Sequence, residues 1–373
     1  MQTQHIPILI FAQSGRFLAE SATQAGYKVW VADCYGDTDL LAVAERWQSL
    51  PPFAELSHET IFASLSELTR GEQCMLICGS GIEHCYHLLF PLPTNIQLIG
   101  NTPDTIQTIK TPALFFDLLD QHDFNYPDTQ FDEINHKDLA WLKKKATGLG
   151  GSHIQYAMLA TDKIEAEAYY QRFVSGNSGS CLFLADGHQA VIVSINQQRL
   201  APDNQHPFRL GGIESAWQLS AHHNDYLDKV VNQLTVATPL VGLNSLDFII
   251  SDLDKLIILE INPRVSASAE LVNNVATLFQ QHLDACLGQL PRPQSPLNQS
   301  GASLFYHYAM SDLIIPDKML WPVECHDLPA AGVTIKQGEP ICTSRVVPNQ
   351  NTPATQLHIL IEQRILKQLI TTV

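Results

Sequence analysis

Within LNSLDFIISDLDKLIILEINPR, residues 243–264, three oxygen-bearing side chains stand among apolar neighbours at strand spacing. The stretch reads as two β-strands, 244–251 and 256–262, joined by the turn residues Asp252, Leu253, Asp254 and Lys255. If that four-residue loop closes an antiparallel hairpin, residue 251 faces 256, and counting back in step sets Asp247 opposite Glu260. Like charges facing each other across a ladder destabilise it, and the flanking Leu, Ile and Phe argue against a solvated surface hairpin. A positive group must therefore sit between them. Side chains alternate along a strand, so Glu260 and Asn262 share a face and Asp247 joins them from the neighbouring strand. Three oxygen donors without sulfur or imidazole suit a hard cation, Mg2+ or alternatively Mn2+, rather than zinc.

A second stretch, WLKKKATGLGGSHI (141–154), places three lysines on an apolar-started strand ahead of Gly148, Gly150 and Gly151. Glycines let backbone N–H groups close on phosphate oxygens, and a lysine adds a point charge to the same oxyanions. A Walker A loop would carry its lysine after the glycines, so this is a different device. Alone, the loop reads equally well as a turn with solvated lysines. Beside an oxygen-rich Mg2+ site it becomes a nucleotide site, since Mg2+ held by few carboxylates normally bridges to substrate phosphates. The 8 cysteines include no C-x-x-C pair and the 15 histidines no H-E-x-x-H. Cys74, Cys78 and Cys85, although near His84 and His87, read as free thiols in a strand, turn and helix stretch, the first two on the strand and the third on the helix.

The first hundred residues must supply a scaffold of another kind. Strands at 6–11, 29–32, 74–78 and 96–99 alternate with helices at 15–25 and 61–68, the pattern of a parallel α/β sheet. Such sheets bind ligands beyond the carboxyl ends of their strands, which puts AQSGR (12–16) and DCYGD (33–37) where a site is expected, without a G-x-G-x-x-G loop. Between 103 and 127 a helical pattern is interrupted at Pro112, a residue suited to starting a new helix. Strands and helices alternate again over 139–238, with Gly211 and Gly212 as a further glycine pair. Residues 289–301, rich in Pro, Gln and Ser, read as a linker. A small β-rich segment follows, and then an amphipathic helix over 355–370. The fold class is α/β, in part α+β, with segments 1–100, 101–290 and 291–373. Lys and Arg number 22 against 38 Asp and Glu, a balance of −16, so neither nucleic acid nor an anionic membrane is an expected partner. The N-terminal apolar run is too short to span a bilayer and carries no cleavage signature, which reads as a cytoplasmic protein.

The order of a Lys-rich strand with G-x-G-G, the apolar stretch YYQRFVSG (169–176), an Asp on a strand and then L-E-I-N-P-R resembles the ATP-grasp superfamily. The first segment is similar to the pre-ATP-grasp domain of those enzymes, and IGNTPDTIQTIKTPALFFDLL to their linker into the ATP-binding part. The likeness runs over nearly the whole chain. GRFLAESATQAGYKVWVADCYGDTD, LEINPRVSASAEL and DLPAAGVTIKQGEPICT resemble the predicted ATP-dependent carboligases related to biotin carboxylase, a group that includes tyramine-glutamate ligases.

That resemblance implies an ATP-grasp domain over 101–290 with a lid near 129–170. It makes Glu260 and Asn262 metal ligands, Asp247 a further ligand or an orienter, and Arg264 a clamp on the charge of the transferred group. Lys144 takes the place of the lid lysine, with Lys143 and Lys145 as alternatives one residue away, and Lys110 matches the earlier nucleotide-facing lysine. Gln171, Phe173 and Val174 would present backbone to adenine, and Gly211 and Gly212 would form an acceptor-side loop. No acid follows the hinge to hold the ribose; Asn177 and Ser178 are the available substitutes. The implied activity joins a carboxylate to an amine through an acyl phosphate, in the closer likeness glutamate to an amine or amino acid in methanofuran-type cofactor biosynthesis. With bicarbonate the same site would be a carboxylase, and without turnover a nucleotide-binding module. Small-molecule acids and amines are the implied partners, and a homodimer the default assembly.

Overall fold

The structure, a computed structural model, describes residues 6–132, 134, 140–148, 150–159, 168–291, 301–348 and 352–370. The chain divides into two compact units, one made of Met1–Ile99, Ala267–Gln280 and Asn298–Val373, the other of Gly100–Ser266 and Gln281–Leu297.

The first unit opens with β1 (Ile8–Phe11), α1 (Arg16–Gln24), β2 (Val29–Asp33), α2 (Thr38–Leu41), β3 (Arg46–Ser49), α3 (His58–Thr69), β4 (Cys74–Cys78), α4 (Ile82–Leu89) and β5 (Ile96–Leu98). The strands form the parallel sheet that the sequence pattern predicts, in the order β3-β2-β1-β4-β5, with β3 a strand that pattern did not mark. β1 and β2 are buried along their whole length, which is why ILIF and VWVAD read as continuous apolar runs rather than alternating ones.

The second unit begins with α5 (Pro103–Lys110) and α6 (Pro112–Gln121). The Thr102 hydroxyl caps α5 by accepting from the Thr105 N–H. Pro112 forces Thr111 out of the helical region, at φ −89 and ψ 107, so α5 ends at Lys110 and Pro112 opens α6 at its first turn. Next come β6 (Thr129–Gln130), β7 (Trp141–Lys145), β8 (Gln155–Tyr156) and β9 (Ala168–Arg172), a small antiparallel sheet of order β6-β9-β7-β8. The main sheet follows: β10 (Gly176–Asp186), β11 (Ala190–Leu200), β12 (Leu210–Glu214), then α7 (Ala221–Ala237), β13 (Val241–Ser251) and β14 (Leu256–Asn262). Its strands run antiparallel in the order β14-β13-β10-β11-β12. α6 and α7 cover one face through Phe115, Phe116, Leu119, Leu227, Val230 and Leu234 against Phe183, Leu246 and Ile258.

The remaining elements are α8 (Val275–Cys286), β15 (Ser303–Tyr308), β16 (Leu313–Ile314), β17 (Cys325–His326), β18 (Thr334–Ile335), β19 (Pro340–Val346) and α9 (Ala354–Ile370). β19 pairs antiparallel with β15 and with β17, and Ile361 and Ile365 of α9 pack on Phe305 and Ile341 of that small sheet. Residues 292–300, the core of the expected linker, lie outside the described residues. All eight cysteines are free thiols. Among the described residues no helix is long and apolar enough to cross a membrane.

Candidate active site

The β13–β14 hairpin sets Asp247 opposite Glu260, the pairing expected from the sequence, by a route that the sequence does not give. The turn holds three residues, not four: the Ser251 N–H donates to the Lys255 carbonyl, and Asp254 takes a left-handed conformation at φ 57. A type I turn followed by a left-handed residue is a standard three-residue hairpin closure, and Asp tolerates that conformation. Ile250 therefore faces Leu256, one residue tighter than counted. A β-bulge then inserts Leu259, so that Phe248 faces Ile258 while Asp247 regains Glu260. Without the bulge Asp247 would face Leu259.

The positive group beside the facing acids is Lys110, delivered from the end of α5. Its Nζ donates to Glu260 Oε2 at 3.1 Å and lies 3.5 Å from the Ile261 carbonyl. The lysine side chain is 5% exposed and that of Glu260 37%, so the pair has one buried and one accessible end. Asp247 is engaged by amides instead: Gln198 Nε2 donates to Oδ1 at 3.2 Å and Asn262 Nδ2 to Oδ2 at 3.3 Å. Burial and the facing Glu260 push the Asp247 carboxyl well above the usual carboxylate range, against the pull of Lys110, Arg264 and Gln198. Burial opposes the Glu260 anion too, but Lys110, His153 and Lys144 outweigh it and hold that carboxyl below its usual range. The facing carboxylate and the burial around it leave Asp247 poorly compensated, and a divalent cation would relieve that: Asp247, Glu260 and Asn262 offer it only oxygen donors.

Lys144 lies on β7 with its side chain buried, and its Nζ donates to Gln171 Oε1 at 2.8 Å. Gln171 sits diagonally across the β7–β9 ladder, where Leu142 is its direct partner, and its Nε2 donates to Thr129 Oγ1 at 3.1 Å. The Gln171 side chain therefore braces the lysine. Burial lowers the Lys144 pKa while Glu260 and Asp247 raise it; Lys143 is as buried as Lys144, and Lys145 is exposed. Gly151 adopts φ 73 with the Phe208 carbonyl where a Cβ would stand, so this turn requires glycine. Gly148 and Gly150 lie beside it, and Leu149 falls outside the described residues. Phe173 is 39% exposed just past β9, its ring 6.1 Å from those of Tyr156 and Phe208, with Val174 next to it.

Gly211 and Gly212 depart from expectation. They lie in strand β12 rather than a loop, with Gly212 facing Arg199, and a Cβ on Gly211 would stand 2.7 Å from that of Ala201. Close strand approach accounts for that glycine. Asn177 and Ser178 are likewise strand residues, facing Ile250 and Ile249. Arg264 follows the hairpin, donates to the Val265 carbonyl at 3.2 Å, and acts electrostatically on Asp247. Gln198, Thr129 and His153 were not singled out from the sequence. Gln198 ends the polar run Asn196, Gln197, Gln198 on a central strand, an anomaly visible in the sequence whose partner is not.

The loops after β1 and β2, the other expected site, hold a different constellation. Arg16 is 1% exposed and donates to Asp327 through Nε and Nη2, both at 3.0 Å, to Glu270 at 2.8 Å and to Glu20 at 3.2 Å. Asp33 accepts from the N–H groups of Gly15 and Gly36 and from the Trp47 indole.

Residues 113–268 match the family model of the ATP-grasp domain. No curated protein matches the chain in sequence. Solved structures of similar fold include the biotin carboxylase of Campylobacter jejuni in a β,γ-ATP complex, 12% identical, with a TM-score of 0.72 over 99% of this chain and 93% of that one. The N5-carboxyaminoimidazole ribonucleotide synthetase of Thermotoga maritima is 14% identical, with a TM-score of 0.62 over 98% and 97%. An L-amino acid ligase of Bacillus licheniformis is 13% identical, with a TM-score of 0.61 over 98% of each chain. The hairpin carrying Asp247, Glu260 and Asn262, the lysine strand β7 and the glycine turn all fall inside the span that matches the ATP-grasp domain.

Proposed function

We propose that the chain is an ATP- and Mg2+-dependent enzyme that activates bicarbonate by phosphorylation and passes the carboxyl group to a nitrogen nucleophile. The observation that carries this reading is the facing Asp247–Glu260 pair, with Lys110 bonded to one end and the buried Lys144 acting on both acids. Several of the similar folds belong to enzymes named as carboxylases, one of them with Mg-ADP and bicarbonate bound. A bicarbonate oxygen attacks the γ-phosphorus, ADP leaves, and the carboxyphosphate so formed gives up phosphate when the amine attacks its carbonyl carbon. When bound, Mg2+ would neutralise phosphate oxygens, with Asp247, Glu260 and Asn262 as its ligands. Lys144 and Lys110 supply further charge to the phosphates, with Lys145 at the strand's exposed end. The turn at Gly148, Gly150 and Gly151 covers the phosphates, and the backbone of Phe173 and Val174 meets the adenine. Arg264 stabilises the charge of the mixed anhydride. Such chemistry asks for positioning and charge neutralisation rather than a side-chain nucleophile.

A second reading keeps the first step and replaces bicarbonate by an organic acid, giving a carboxylate-amine ligase; the fold's likeness to an L-amino acid ligase favours it. Glutamate with tyramine is one pair to include. The test is ADP and phosphate release by the purified protein with Mg-ATP against bicarbonate, amino acids and amines, with label followed from 13C-bicarbonate. Label in an acid-labile product supports the carboxylase. Release that needs an acid and an amine but no bicarbonate supports the ligase, and ATP binding without release under every condition sinks both.

A further inference from the structure

Away from these residues, two buried ring nitrogens in the first unit have no hydrogen-bond partner: Nδ1 of His307 on β15 and Nδ1 of His358 on α9. His307 is 2% exposed, and its other nitrogen, Nε2, lies 2.8 Å from Ser344 Oγ on the neighbouring strand β19. With Nε2–H donating to that hydroxyl, Nδ1 carries a lone pair aimed at nothing the protein supplies. The ring of His358 stacks on Phe305, with centroids 4.5 Å apart and planes 21° off parallel, and lies 4.8 Å from that of His307. Glu362 follows His358 by one helical turn, on the same face of α9. Donor atoms from His307, His358 and Glu362 all lie within 4.8 Å of one another, near enough for small side-chain rotations to bring them onto one ion at Zn–ligand bonds of about 2.1 Å.

We propose that His307, His358 and Glu362 bind one Zn2+ ion that fastens α9 to β15. Two imidazoles and a carboxylate are a zinc donor set and a poor one for Mg2+, so this site and the oxygen-only hairpin site select different metals. The Ser344 contact is the outer hydrogen bond that metal-ligating histidines usually make, fixing the ring and its tautomer. Ile361 and Ile365, on the buried side of the same helix, already seat α9, and the ion would add a polar clamp beside that apolar contact.

The test uses the full chain, stripped with a chelator and then titrated with Zn2+, and with Co2+ as a spectroscopic probe. The expected result is one equivalent bound at micromolar free Zn2+, intense visible bands of low-coordinate Co2+, and a rise in Tm on adding Zn2+. Glu362→Gln and His358→Gln, both at half-buried positions on the helix surface, should each weaken binding by at least about 100-fold and abolish the rise in Tm. Glu260→Gln should retain the equivalent, because its carboxylate belongs to the other site. Absence of stoichiometric binding, retention of the equivalent in both helix variants, or its loss in Glu260→Gln would each overturn the proposal. Circular dichroism of the stripped variants separates loss of metal from loss of fold.

Discussion

Arg16 in the first unit and the Lys110–Glu260 pair in the second both hold ionised groups away from water, and they differ in how fully each charge is engaged. Arg16 spends its planar fork on three carboxylates at 2.8–3.2 Å, with Asp39 a further one at 3.9 Å. Asp327 is in turn fixed by Thr343, and Asp39 accepts from the N–H groups of Asp327 and Leu328. In the second unit the cations are lysines, point charges on flexible stems. Glu260 remains partly accessible, and Asp247 accepts from the amides of Gln198 and Asn262 while burial and Glu260 push its carboxyl up. A guanidinium saturated on every side stabilises one arrangement and resists change, whereas lysines beside under-neutralised carboxylates leave capacity for a metal and phosphates. The difference between the clusters is therefore one of spare valence, and substitutions can break it from either side.

The largest effect belongs to Glu260→Gln. If Glu260 holds the metal as proposed, its loss should lower turnover by about a thousandfold, ~4 kcal/mol of barrier. Tm should move by a few degrees at most, because the substitution also removes the charge that pushes Asp247 up. Near-normal ADP release in this variant would show that Glu260 does not carry the metal. Arg16→Met should do the reverse: four carboxylates lose their cation, and unfolding in urea should become easier by about 3–5 kcal/mol. ATP affinity of the folded protein should stay as it was. A variant as stable as the wild type would mean that the Arg16 cluster is not a structural clamp.

Lys144→Ala comes next, with ATP affinity expected to fall about 10–100-fold, roughly 1.4–2.7 kcal/mol, by calorimetry. Lys145→Ala should cost less, since Lys145 is exposed and Lys144 is braced by Gln171. The pH dependence has a definite sign. Burial lowers the Lys144 pKa, so the ammonium that meets phosphate is lost at lower pH than for an ordinary lysine, and affinity should weaken as pH rises. Lys144→Arg, permanently charged, should remove that slope; if the slope persists, another group produces it.

The two clusters were also unequally legible in the sequence. Asp247, Glu260 and Asn262 could be found because the period of two along a strand converts spacing into a shared face, and because a hairpin joins residues only 13 apart. Even there, the correct pairing resulted from two features the sequence does not mark: a turn one residue shorter than counted and a bulge at Leu259 that restores the register. Nothing in LIILEI distinguishes Leu259 from its neighbours. Lys110 against Glu260 spans 150 residues and Lys144 against Gln171 spans 27; the family likeness named these residues but neither pairing. Arg16 lies in the AQSGR loop where a site is expected, but its role as a clamp gave no signal, since its partners Glu270 and Asp327 lie 254 and 311 residues away and acquire meaning only once the chain has folded. Gly211 misled for a related reason: a glycine pair in sequence looks like a loop, while its cause, the close approach of Ala201, is tertiary.

The smallest effect probes the edge of the Arg16 cluster. Asp37 is 6% exposed, and burial together with Asp327, Asp33 and Asp39 pushes its carboxyl up to about 8, with Arg16 pulling the other way. Between its ordinary value of 3.8 and about 8 the folded protein holds a proton on Asp37 that the unfolded chain has already released. The unfolded state binds fewer protons in that window, so stability falls as pH rises through it. Glu270, held up to about 7 mainly by burial, adds a slope of the same sign, and Asp327, whose pKa is lowered, adds one of opposite sign in acid. Asp37→Asn should therefore raise Tm more near pH 8.5 than near pH 5, flattening the slope without abolishing it. A variant that tracks the wild type at both pH values would mean that Asp37 ionises freely, and that the cluster around Arg16 has room for one more negative charge than its geometry implies.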